Sequence, residues 1–266
     1  MRFVIQLCIV LAGLLTWHSA SAQEASASDL AKAAQNPIAS LISVPIQSNI
    51  DFDWGPNSDT FAVTNIQPVL PFKLNDDWNL VTRTILPIVS QPGLTPGQSR
   101  KWGTSDTLFT AFFVPADSGA WTWGVGPMVQ LPTTSNSRLG KDEWGAGISA
   151  VALTMPGRWV VGGLVSNLWG ISEDPGNEIN SFTFQPFVNY NFEKGWYFTF
   201  SPIITANWEA ASGQKWTVPI GAGFGKIFKI GSQAMNAQAH YYYNIEKPDI
   251  TGDWSIRLQL QFMFPK

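Results

Sequence analysis

The chain has 266 residues, of which 45% are apolar and 13% charged, with a formal net charge of −3. Charges are about half as frequent as in an average soluble protein, which excludes a disordered chain. A mean hydropathy of +0.01 excludes a bundle of lipid-embedded helices, and the negative charge argues against nucleic acid as a partner.

The chain opens on Met1-Arg2, runs through the largely apolar Phe3 to Trp17, and reaches His18-Ser19-Ala20-Ser21-Ala22. A basic start, an apolar run too short to span a bilayer and the Ala20/Ala22 pair predict a cleaved signal peptide over residues 1–22. Cleavage would remove Cys8, the only cysteine, so disulfides and thiol chemistry are not expected, and would leave His240 as the single histidine. Residues 23–41 form a separate N-terminal segment. Within it Ser28 and Asp29 precede helix formers and Pro37 stops them. One or two helical turns are expected over 28–36, either in the periplasm or tucked into a lumen.

From residue 42 onward the repeating signal is period two, the mark of strands with two different faces. Trp196, Phe198, Phe200, Pro202, Ile204, Ala206 and Trp208 alternate with Tyr197, Thr199, Ser201, Ile203, Thr205, Asn207 and Glu209. Parsed this way, the chain holds about twelve strands. They are expected near 42–54, 59–74, 78–91, 104–116, 121–134, 143–156, 159–172, 179–193, 196–210, 215–230, 233–247 and 254–266. The sixth and seventh alternate weakly, and the fourth could face either way. Tight turns such as Asp117-Ser118-Gly119 and Glu193-Lys194-Gly195 follow the even strands. Mostly longer polar links follow the odd ones, and those over 91–104 and 132–142 are the longest. That layout predicts a closed antiparallel transmembrane β-barrel in a Gram-negative-type outer membrane, residues 42–266, with both termini periplasmic.

Tryptophan supports the same reading, because indole prefers the membrane–water boundary. Trp78, Trp121, Trp159 and Trp196 follow short turns, whereas Trp54, Trp144, Trp169, Trp208, Trp216 and Trp254 border the long loops. The strand length between Trp196 and Trp208, tilted by roughly 40°, spans on the order of 30 Å, enough to separate two girdles. The partners expected on this reading are outer-membrane lipid and lipopolysaccharide, and the barrel-assembly machinery during biogenesis. The last strand alternates Trp254, Ile256, Leu258, Leu260, Phe262 and Phe264 with Ser255, Arg257, Gln259 and Gln261. It is similar to the C-terminal signal that such machinery reads, although Pro265 and Lys266 follow the terminal aromatic.

With the strands placed, several strings carry a family resemblance. They are Leu30-Ala31-Lys32-Ala33-Ala34-Gln35-Asn36-Pro37-Ile38-Ala39-Ser40-Leu41-Ile42, Asn65-Ile66-Gln67-Pro68-Val69-Leu70-Pro71-Phe72, Asp77-Trp78-Asn79-Leu80, Ser201-Pro202-Ile203-Ile204-Thr205-Ala206-Asn207-Trp208 and Gly225-Lys226-Ile227-Phe228-Lys229-Ile230-Gly231. Over nearly all of the chain after residue 22, it resembles bacterial outer-membrane barrels of the "MetA-pathway of phenol degradation" family. The resemblance implies a channel-like barrel for small molecules, with aromatic compounds as candidate solutes. It supplies no site motif to transfer.

The face opposite the lipid stripe supplies the lumen-lining candidates: Gln47, Asn49, Asp51, Asp53, Asn65, Gln67, Arg83, Asp106, Glu209, His240 and Arg257. In a closed barrel the first and last strands are neighbours, so Arg257 is expected to pair with Asp51 or Asp53. These charges read either as a structural network or as a selectivity filter. Glycines at 124, 126, 145, 147, 221, 223 and 225 share that face. They let the sheet bend, or they clear the wall for a ligand or for the N-terminal segment. One histidine and no later cysteine predict neither a transition-metal site nor a cofactor. Loop acids Glu173, Asp174 and Glu178 read as solvated rather than as a calcium loop. The expected role is passage of small molecules without catalysis. The alternatives are a non-conducting structural barrel, or a lipid-modifying enzyme relying on His240 beside a serine on the lipid face.

Overall fold

The computed structural model describes residues 27–171 and 178–264. Twelve antiparallel strands close into one barrel. They are β1 (Ile42–Trp54), β2 (Asp59–Ile66 and Val69–Lys73), β3 (Trp78–Gln91), β4 (Lys101–Thr104 and Thr107–Pro115), β5 (Trp121–Leu131), β6 (Gly145–Thr154), β7 (Trp159–Gly170), β8 (Asn180–Asn191), β9 (Trp196–Phe200 and Ile204–Asn207), β10 (Trp216–Ile230), β11 (Gln233–Glu246) and β12 (Trp254–Phe264). Each pairs with its sequence neighbours, and β1 closes on β12 from Ile42 opposite Phe264 to Phe52 opposite Trp254. Closure leaves no unpaired edge, the condition for strands to exist in hydrocarbon, where no water can satisfy a free N–H or C=O. The expected signal peptide lies outside the described residues, as do Glu173, Asp174, Pro265 and Lys266.

The interruptions have local causes. Pro68 has no N–H to give, so β2 breaks there while the register on either side is unchanged. In β9 the gap falls at residues 201–203, where Pro202 stands opposite Pro186 of β8 and neither can donate. Three register shifts occur among the described residues, one of them between β10 and β11, where Val218 opposes Glu246 but Pro219 opposes Asn244. In β1, Asp51 opposes Phe61 but Trp54 opposes Asp59, so one extra residue is inserted, and Asp53 adopts φ 59°. In β4 the pairing with β3 slips by one residue at Ser105-Asp106. A bulge reverses the in/out order of the side chains beyond it.

Tight turns close one end of the barrel, and longer loops rise from the other. A helix α1 (Ala27–Gln35) precedes β1. It tucks into the short-turn end, where Leu30, Ala31 and Leu41 are buried against Tyr197, Ile227, Ala234 and Met263. Its last turn is tied to the wall, because the amides of Gln35 and Asn191 exchange hydrogen bonds of 2.9 and 3.3 Å. The Asn36 side chain caps the following turn by accepting from the Ile38 N–H at 2.9 Å.

Outside, the barrel is apolar and aromatic. Trp78, Trp121, Trp159 and Trp196 are exposed at the short-turn end, and Trp144, Trp169 and Trp208 at the loop end. Trp216 and Trp254 are half-buried in aromatic clusters, Trp216 with Phe182 and Trp208, Trp254 with Phe52 and Tyr241. Trp102 and Trp123 join the exposed set, Trp123 in edge contact with Trp78 at 6.0 Å. Trp54 departs from expectation. The bulge at Asp53 turns it to the side of Asp51 and Phe61, where it stacks on Phe61 at 4.2 Å. The one polar pair on the outer face of β1 and β2, Ser48 and Thr64, satisfies itself at 2.9 Å.

Candidate functional site

The lumen has two unlike halves. Along β2 to β8 it is filled by hydrocarbon, with Val69, Val81, Phe112, Val114, Val151, Leu153, Val160, Leu164 and Phe187 packed with Ile38 of the N-terminal segment. This is where glycine clears space: a Cβ on Gly124 would lie 3.3 Å from Ile38 Cδ1. Along β9 to β12 and β1 the lumen is polar. Arg257 is 6% exposed. Its Nε donates to Asn49 Oδ1 at 2.8 Å, and its Nη1 donates to the Ser201 carbonyl at 2.8 Å and to Tyr242 Oη at 3.3 Å. The guanidinium also lies 4.8 Å over the Tyr242 ring. The break at Ser201-Pro202 frees that carbonyl, which Tyr242 Oη also reaches at 3.0 Å. Nearer the helix, Tyr197 Oη donates to Asn236 Oδ1 at 2.7 Å, and Asn236 Nδ2 donates to Gln261 Oε1 at 3.0 Å. Gly225 lies under the Tyr197 ring, so any side chain there would collide with it.

Between the halves lies a cavity of about 130 Å³, floored by residues 33–37 of the N-terminal segment. That is room for on the order of ten water molecules. Of the sequence candidates, Gln47, Gln67, Arg83 and Arg257 line it directly. Arg83 Nη2 is held by Gln67 Oε1. Asn49 holds Arg257, while Asp51 and Asn65 share the inward face of the β1–β2 pair with Gln47. Leu164 and Phe187 bring the apolar half to the same cavity. Gln185, Gln238, Gln259 and Gln261 also line it, although the candidate set lacked them; their place on the polar face of each strand is the signal that finds them.

Three candidates are placed elsewhere. Asp53 is exposed at the bulge and accepts from the Trp254 indole N–H at 3.0 Å. Glu209 is exposed in the turn beyond β9, its N–H bonded to Asn207 Oδ1 at 3.1 Å. Asp106 is buried, but in the β4 bulge its carboxylate turns towards the β5–β6 loop. There it accepts from the backbone N–H groups of Thr134, Lys141 and Asp142 at 3.3, 2.7 and 3.2 Å. It therefore anchors a loop. Arg257 donates its hydrogen bonds to neutral groups instead of pairing with Asp51 or Asp53.

His240 is 4% exposed on the lumen side of β11. Its Nε2 pairs with Gln238 Oε1 at 3.0 Å and its Nδ1 with Tyr242 Oη at 2.9 Å. Both ring nitrogens are engaged by an amide and a phenol, and among the described residues no serine hydroxyl is bonded to the ring.

Several solved structures are similar to the chain. An outer membrane channel from Pseudomonas putida superposes with a TM-score of 0.65 at 18% identity, covering 84% of this chain and 94% of the channel. A Pseudomonas aeruginosa FadL homologue gives a TM-score of 0.43 at 12% identity, covering 91% and 94%. The Salmonella typhi outer membrane phospholipase gives 0.42 at 14%, covering 85% and 91%. At these identities the likeness is one of fold, that of outer-membrane barrels. No family model and no curated protein matches the sequence.

Proposed function

We propose that the protein is an outer-membrane channel for small molecules, aromatic compounds among the candidate solutes, and that its N-terminal segment gates the lumen. The observation that carries this reading is the amide- and arginine-lined cavity closed by a segment covalently outside the barrel wall. A purely structural barrel needs no polar cavity, since buried amides and guanidiniums cost stability wherever they are not fully bonded. The segment rests on the wall through Leu30, Ala31, Leu41, the Ile38 side chain and one amide pair, side-chain contacts that involve none of the ladder's backbone hydrogen bonds. The outward aromatic surface suits lipid, with the short turns and both ends of the strand array facing the periplasm. On this reading the outer-membrane neighbours are lipid, lipopolysaccharide and, during assembly, the barrel-assembly machinery.

The test is conductance of the full chain in planar bilayers, compared with a variant carrying Gln35→Cys and Asn191→Cys. These two side chains are in direct contact, so oxidation should lock the segment in place. Ion current should fall on oxidation and return on reduction. Current unchanged by locking would remove the gate, and no current in either state would leave a sealed structural barrel.

A further inference from the structure

We propose that the lumen cavity is a subsite for a small organic carboxylate with an apolar body, its anionic head held by Arg83 and Arg257. The inference deepens the channel reading and rests on it. Both guanidiniums reach the same cavity, and no Asp or Glu is among its lining residues. Each is positioned by neutral acceptors: Arg83 by the Gln67 amide, Arg257 by Asn49, the Ser201 carbonyl and Tyr242. Among the described residues neither lies within ion-pair distance of a carboxylate. By contrast, Arg100 and Arg158, outside the cavity, sit on Asp59 and Glu193. Asp51, further along the inward face of β1, is the acid whose charge Arg257 senses, but it neither bonds to Arg257 nor lines the cavity.

Two fixed guanidiniums and one unbonded neighbouring acid leave a net positive field at the cavity. A charge removed from water is costly unless it is partnered, and the planar fork of arginine matches a carboxylate with two parallel bonds. In Arg257 the Nε and Nη1 atoms are committed to the wall, and among the described residues its Nη2 has no hydrogen-bond partner. In Arg83 only Nη2 is committed. Apolar side chains share the lining and select the body of the ligand. Val69 stands beside Arg83, Leu164 beside Gln185, and Phe187 follows on the same strand, so an aromatic or short aliphatic group can lie on hydrocarbon while its carboxylate meets the arginines. A neutral molecule of the same shape gains only the apolar contact, and a cation is repelled.

Benzoate, benzyl alcohol and benzylammonium separate these cases. Binding to the detergent-solubilised full chain, read by calorimetry, should be strongest for benzoate and undetectable for benzylammonium. Arg83→Gln and Arg257→Gln should each weaken benzoate binding by about tenfold, the loss of one charge-assisted contact. Arg100→Gln should leave it within about twofold, because that side chain lies outside the cavity. A heat-dependent gel-mobility shift identical to that of the parent shows that a variant has folded. Arg83→Gln is the safer variant because it has one protein hydrogen bond to lose. Equal binding of benzoate and benzyl alcohol, or benzoate binding indifferent to both folded substitutions, would overturn the subsite. The channel reading fails separately: benzoate binds with the predicted arginine dependence, yet bilayers carry no current.

Discussion

The two halves of the lumen solve the same problem with different chemistry. Around Phe112, Leu153 and Val160 the inside of the barrel is a hydrocarbon core, and the wall is as apolar within as without. Around Arg257, Tyr242 and His240 it is a network in which each polar group is held by another. The first arrangement fills space and excludes water. The second keeps polar groups fixed at the edge of a cavity. A twelve-stranded barrel is wider than its side chains need fill, and here only part of that excess is closed by hydrocarbon.

The apolar half should be the more sensitive to truncation. Phe112→Ala removes a fully buried ring and should cost about 3–5 kcal/mol, read as a lowered urea midpoint for refolding into detergent. Tyr197→Phe touches the polar half with almost no change of volume. It leaves the Asn236 carbonyl oxygen without its 2.7 Å donor, and the expected cost is about 1–3 kcal/mol on the same assay. Equal losses would mean that the network carries as much of the barrel's stability as the core. A third substitution, Phe264→Ser, avoids both halves. Phe264 is exposed at the short-turn end opposite Ile42, so refolding in detergent should change by less than about 1 kcal/mol. If the last strand is read by assembly machinery, cellular outer-membrane levels should nevertheless fall; unchanged levels would leave Phe264 as a lipid contact.

The contrast also explains what could be read from sequence. Strands of the polar half alternate cleanly because their two faces meet different solvents, and β9, β11 and β12 fall where the alternation puts them. In the apolar half the pattern fades. Phe112 and Val114 point in while Phe109 and Phe113 point out, so β4 offers no polarity difference from which to choose a face. β6 and β7 blur for the same reason, with Val151, Leu153, Val160 and Leu164 inside and Ile148 and Val165 outside. The hydrocarbon filling of the lumen was therefore hidden by the very residues that form it. Bulges hid the rest. A strict period of two carries Asp53 inward and Trp54 outward. One inserted residue exposes Asp53 and sends Trp54 to Phe61, and a comparable slip turns Asp106 towards its loop. Glu209 was misplaced more simply, because the alternation was continued past the end of β9 at Asn207.

Any route through the barrel is expected to follow the polar lining of the cavity and not the hydrocarbon filling. Because Cys8 is the only cysteine, single cysteines can be introduced one at a time into a Cys8→Ser background. Gln185→Cys and Gln259→Cys line the cavity, whereas Val151→Cys and Leu153→Cys lie in the hydrocarbon half. In the folded protein reconstituted in vesicles, a small charged thiol reagent should modify the first pair readily and the second pair at least about tenfold more slowly, as expected for thiols buried in apolar surroundings. Equal modification of both pairs would contradict the account.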